Sequence, residues 1–120
     1  MVCVRKRPLS KKELLSGIVI YFNYPIGEID CVSVANPKLI IHDCKVKIDG
    51  ITKYIDDNEF VFDNSFAENN TTEDVFQNSV MPTLNMIMNK GVVTVFAYGQ
   101  TGSGKTYTMV CLLEFIQFLH

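Results

Sequence analysis

Gly99-Gln100-Thr101-Gly102-Ser103-Gly104-Lys105-Thr106 satisfies the phosphate-loop template G-x-x-x-x-G-K-[ST] at every defined position, and the apolar run Val92-Val93-Thr94-Val95-Phe96-Ala97-Tyr98 leads directly into it. The spelling follows from the chemistry. Glycines let backbone N–H groups turn inward and approach an anion closely. Lys105 then reaches the β- and γ-phosphates of a nucleoside triphosphate, and the Thr106 hydroxyl binds Mg²⁺. A helix opening near Lys105 adds its positive end. The continuous apolar run before the loop reads as a strand buried on both faces. Strand, loop and helix in this order predict an α/β protein of the P-loop NTPase class, with a nucleoside triphosphate and Mg²⁺ as ligands.

Outward from the loop, Phe96-Ala97-Tyr98 before it and Tyr107-Thr108-Met109 after it complete FAYGQTGSGKTYTM. This segment resembles the nucleotide-binding stretch of kinesin motor domains. Val4-Arg5-Lys6-Arg7-Pro8-Leu9 resembles the R-x-R-P element on the first kinesin strand. The likeness implies that Arg5, Arg7 and Pro8 approach the adenine on one side and Tyr107 on the other. A guanidinium and an aromatic ring both stack on a flat π face. The resemblance covers residues 1–13 and about 28–109. It implies a mixed central sheet with helices on both faces and a small antiparallel lobe after the first strand. It also implies microtubules as partner and a place in the cytoplasm on the cytoskeleton.

A third element narrows the branch. Lys45-Val46-Lys47-Ile48-Asp49-Gly50-Ile51-Thr52-Lys53-Tyr54 is similar to a hairpin in the internal-motor kinesins that depolymerise microtubules. Those proteins carry Lys-Val-Asp at the tip, where this chain has Lys47-Ile48-Asp49. The resemblance implies tubulin contacts from these three residues. The bland alternative is a solvated turn with opposite charges.

Composition bounds the rest. The chain has 120 residues, a 48% apolar fraction and a net charge of −2. That is enough for one small core and too apolar for a disordered tail. No long basic run recommends nucleic acid, and no segment reads as a signal peptide or membrane span. Cysteines at 3, 31, 44 and 111 have no C-x-x-C spacing, and His42 and His120 form no metal pattern with them. Reduced, buried thiols are the expectation.

Along the chain, Met1 to Arg5 reads as a strand ended by Pro8. Ile29 to Ile48 alternates β-type runs with turns, one at Asn36-Pro37, and Asp49-Gly50 after it is a further turn signal. Phe60-Val61-Phe62-Asp63 reads as a further strand, similar to the family's F-x-F-D element. Thr71 with Asp74 is a capping-box-like start. Phe76, Val80, Leu84, Ile87 and Met88 recur at helical spacing and are expected to pack on a sheet. Pro82 predicts a kink or break, and Gly91 the helix end. Phe60 to Thr106 then forms a β-α-β unit with a right-handed crossover.

Two segments depart from the kinesin pattern. Leu14 to Gly27 is an apolar insertion without counterpart; removing it joins Lys11-Lys12-Glu13 to Glu28-Ile29-Asp30. It reads as an extra hairpin or as translated sequence from an unremoved intron. Residues 110–120 form an atypical end whose helix is apolar nearly all round and needs cover on every side. The family's two switch segments, resembling N-x-x-S-S-R-S-H and D-L-A-G-S-E, have no match here, so no catalytic residue is assigned. The expectation is therefore the first part of a motor domain that binds nucleotide without completing hydrolysis. The alternatives are an inactive nucleotide-binding fragment and another P-loop NTPase. Oligomeric state, direction of movement and cargo have no signal.

Overall fold

The computed structural model describes residues 1–15 and 30–118. The apolar insertion from Leu14 to Gly27 thus lies outside them, apart from Leu14 and Leu15. A short strand β1 (Cys3–Arg5) pairs in parallel with β5 (Asn64–Phe66), Arg5 standing opposite Phe66. Between them come a one-turn helix α1 (Lys11–Leu15) and an antiparallel sheet of β2 (Val32–Ala35), β3 (Lys38–Val46) and β4 (Lys53–Val61). This sheet is the small lobe expected after the first strand. The strand expected at Phe60–Asp63 is divided: Phe60 and Val61 end β4, and β5 begins at Asn64, just after Asp63 N–H has bonded Val2 O at 2.9 Å. The turn at Asn36-Pro37 docks the lobe on β5. Ser65 N–H donates to Asn36 Oδ1 at 2.7 Å, and Ser65 Oγ donates to Pro37 O at 2.9 Å.

The helical stretch begins as its sequence says. Thr71 and Asp74 close a reciprocal capping box at the start of α2 (Thr72–Val75). A π-helical segment, Phe76–Val80, follows and leads into α3 (Met81–Met88). The break expected at Pro82 therefore lies on its N-terminal side. A proline has no N–H for the carbonyl four residues back and crowds it. That carbonyl is Asn78 O, and Asn64 Nδ2 of β5 donates to it at 3.1 Å instead. The helix widens to the π form just before the proline, with Met81 N–H on Phe76 O.

The end of α3 is a Schellman cap: Lys90 N–H donates to Ile87 O at 3.0 Å and Gly91 N–H to Met86 O at 2.8 Å. Lys90, not Gly91, takes the left-handed conformation, with φ 62. Gly91 is required for another reason: a Cβ there would stand 2.7 Å from Met86 O.

The core consists of Phe66, Val75, Phe76, Val80 and Leu112, with Cys3, Leu84, Met109, Phe115 and Ile116 packed against it. It joins β5 and the helical stretch to α4 (Lys105–Phe118), the helix after the phosphate loop. Phe76 and Phe115 stack with ring centroids 5.3 Å apart. Phe76 and Val80 thus pack on a helix as well as on β5, while Ile87 and Met88 remain exposed. The helix of the atypical end is covered on one side. α4 buries the stripe of Met109, Leu112, Phe115 and Ile116 and leaves Val110 and Leu113 exposed.

One expected strand does not form. Val92–Tyr98 has no ladder partner among the described residues. Val92, Phe96 and Tyr98 are 89%, 81% and 96% exposed. The β-α-β unit is therefore open, and two small sheets stand where a mixed central sheet was expected. A strand forms only when a neighbour takes up its N–H and C=O groups, and neither sheet extends to this run. Its β-type composition gives the apolar surface without the pairing.

Candidate functional site

The phosphate loop is built from its glycines. Gly99, Gly102 and Gly104 have φ of 153, 83 and 91, where a side chain is strained. At Gly99 a Cβ would also meet Ser103 Oγ at 2.6 Å. These turns fold the loop back over the start of α4. Lys105 Nζ lies inside it, donating to Gly99 O at 2.7 Å and to Gln100 O at 2.8 Å. Ser103 N–H closes the turn on Gln100 O at 3.2 Å. Gln100 and Thr101 stand exposed at the rim, and Thr106 faces solvent at the first turn of α4.

Two features fit an anion here. The ammonium group is held by carbonyl oxygens that a phosphate oxygen outcompetes, because a charge-assisted bond is the stronger. Ser103 Oγ is buried without a hydrogen-bond partner, a cost that a ligand oxygen removes. For a magnesium ion the protein offers the Thr106 hydroxyl. Among the described residues no cluster of three or more His, Cys, Asp or Glu side chains gathers. Such an ion would be held by Thr106, phosphate oxygens and water, a set that suits Mg²⁺.

The residues expected at the adenine divide. Arg5 and Tyr107 come together, the guanidinium carbon 5.8 Å from the ring centroid. Stacked layers sit about 3.5–4 Å apart, so a base between them needs about 7 Å. Tyr107 is largely exposed and has room to turn away. Pro8 is exposed beside them in sequence, but Arg7 turns elsewhere. Its guanidinium pairs with both Glu13 oxygens and donates to Pro8 O at 3.0 Å. Glu13 also accepts from Ser10 N–H at 2.7 Å, while Glu13 N–H donates to Ser10 Oγ at 3.2 Å. This is a second capping box, starting α1. The Arg7 bond, with those to Ser10, holds the Glu13 carboxyl down to about 2. Ser10-x-x-Glu13 is a legible signature that sequence reasoning passed over.

At the hairpin tip the three expected contact residues have different roles. Ile48 is fully exposed, and Lys47 is exposed beside it. Asp49 is spent on the turn. Its carboxylate accepts from Thr52 Oγ1 at 2.5 Å, Thr52 N–H at 2.9 Å and Ile51 N–H at 3.0 Å. These bonds, the Thr52 hydroxyl foremost, lower its pKa. Gly50, at φ 72, completes the turn.

Register, invisible in the linear sequence, brings together a further group. His42 lies opposite Asp57 on β3 and β4. Its Nδ1 is 2.7 Å from Asp57 Oδ1 and its Nε2 2.7 Å from Ser33 Oγ on β2. The order suggests a nucleophile, base and acid, but Asp57 is well exposed, where water weakens such a relay. The chain of bonds ties three strands together. The thiols also differ from expectation: Cys31 and Cys44 are exposed on this lobe, and Cys3 and Cys111 are only partly covered. No helix among the described residues is long and apolar enough to cross a membrane.

A family model described as the kinesin motor domain matches residues 5–114. The chain is 43% identical over 109 residues to Diatom spindle kinesin-1 from Cylindrotheca fusiformis, covering 90% of this chain and 16% of that protein. It is 42% identical over 110 residues to Kinesin-like protein KIF24 from Homo sapiens, covering 91% of this chain and 7% of that protein. The chain thus spans a small part of the length of these relatives.

Proposed function

The chain belongs to the kinesin motor-domain family, and on that premise we propose that it binds the triphosphate of ATP, with Mg²⁺, in the loop Gly99–Thr106. Kinesin motor domains are α/β P-loop NTPases, and the strands and helices here agree with that class. The observation that carries the reading is the Lys105 ammonium drawn into the loop beside the unpartnered Ser103 hydroxyl. Arg5, Pro8 and Tyr107 supply the surface for the base, and Arg7 holds the Pro8 carbonyl from outside. Within a complete motor, this segment serves ATP hydrolysis coupled to microtubule binding at the cytoskeleton.

The test is binding of a fluorescent ATP analogue to the chain, with Lys105→Ala as control. Lys105→Ala should abolish binding; binding that survives the substitution places the triphosphate elsewhere.

The hairpin supports a finer reading, release of tubulin from microtubule ends. Ile48, standing clear of the fold with Lys47 beside it, has the form of a contact residue, whereas Asp49 shapes the loop that presents them. In a complete motor, replacing Lys47 and Ile48 together by Ala should spare ATP binding and reduce depolymerisation sharply. Wild-type depolymerisation by that variant would leave the hairpin an ordinary solvated turn.

A further inference from the structure

We propose that Thr72 and Thr108 are positioning residues for nucleotide recognition: two hydroxyls from two different helices fix the plane of the Arg5 guanidinium that meets the base. The inference rests on the reading of Gly99–Thr106 as an ATP site, and it assigns a role to residues outside the phosphate loop.

Arg5 lies at the end of β1, with its backbone held by the parallel pairing to Phe66 and by Lys6 N–H on Phe66 O at 2.9 Å. Its two terminal nitrogens have separate partners. One donates to Thr108 Oγ1 at 3.2 Å, and the other to Thr72 Oγ1 at 3.1 Å. Thr72 is the first residue of α2 and is buried; Thr108 lies in the first turn of α4 and is partly covered. A single hydrogen bond lets a guanidinium swing about its long stem. Two bonds to its two ends fix the plane, because the donor fork is rigid. The fixed group lies beside Tyr107, so its orientation is set before any base arrives. Arginine that is already ordered gives up less rotamer freedom when a base stacks on it.

Neither hydroxyl belongs to the phosphate loop, and this separates the proposal from a general stabilising role. The test compares two ligands, ATP and inorganic tripolyphosphate, which shares the anion and lacks the base. Thr72→Val and Thr108→Val keep the side-chain shape and remove the acceptor. In the double variant ATP affinity should fall about three- to ten-fold, the range expected for loosening one stacking partner. Tripolyphosphate affinity should stay at the wild-type value. Thr72→Ser and Thr108→Ser, which keep the hydroxyl, should retain ATP affinity. An equal fall for both ligands would show that the threonines only hold the fold, and no fall for either would show that Arg5 needs no support; both overturn the proposal. Loss of the helical circular dichroism in the double variant overturns it too. Failure of the underlying site is distinguishable: wild type would then bind neither ligand, or Lys105→Ala would bind both unchanged.

Discussion

The two flanks of the phosphate loop are similar in apolar content and opposite in fate. Before the loop, Val92–Tyr98 stands bare; after it, α4 seats Met109, Leu112, Phe115 and Ile116 on the core. The difference lies in where each conformation finds its hydrogen bonds. A helix satisfies its backbone internally and needs outside help only for one face. A strand needs neighbours for its backbone as well as cover for its side chains. Two apolar segments thus give a packed element on one side and an exposed run on the other.

The largest expected effect tests that contrast by truncation. Phe76→Ala, beneath Phe115, should cost about 3–5 kcal/mol and remove the cooperative denaturant transition. Phe96→Ala, on the bare flank, should change stability by less than about 0.5 kcal/mol. Equal effects in urea unfolding would erase the contrast. So would amide hydrogen exchange as slow in Val92–Tyr98 as in α4.

Gly91 marks the border between α3 and the bare run. Gly91→Ala pushes a Cβ against Met86 O and should cost about 1–3 kcal/mol, with the last turn of α3 fraying in exchange measurements. Full retention of stability would mean that the border moves freely. At the other end of the same helical stretch, Thr71→Ala should cost about 1 kcal/mol by removing the cap of α2. A larger loss than that of Gly91→Ala would put the weak end of the helix on the wrong side.

The smallest effect lies outside both flanks. The Glu13 carboxyl is held down to about 2, below its unfolded value of about 4.3. Its contribution to the α1 cap is therefore present above about pH 4.5 and is lost as the pH falls toward 2. A carboxyl titration followed by NMR should show that low midpoint, and Arg7→Gln should raise it. A midpoint near 4.3 in the native chain would break the Arg7–Glu13 cap.

Much of this was readable from local chemistry. The phosphate loop, the Thr71–Asp74 box and the turn at Asp49-Gly50 each follow from residues a few positions apart. Gly91 was the right terminator for an incomplete reason, since the backbone reverses at Lys90 and Gly91 only makes room. What stayed hidden depends on partners far along the chain. Asn64 serving the carbonyl that Pro82 cannot, His42 joining Ser33 to Asp57, and Arg5 reaching Thr72 and Thr108 all require the register of separate elements. The pairing of Val92–Tyr98 is of the same kind: composition marks a run as strand-like, but a neighbour has to complete it.

The β3–β4 hairpin has a mechanical consequence. Each strand has nine residues, an arm of about 30 Å at the usual strand rise. At its root, the Asn36-Pro37 turn grips Ser65 by two short bonds. A sideways load on Ile48 becomes torque at that grip, multiplied by the length of the arm. Ser65 sits next to Asn64, which holds the π segment above the core. A push at the tip is therefore delivered, one residue away, to the helix that packs against α4.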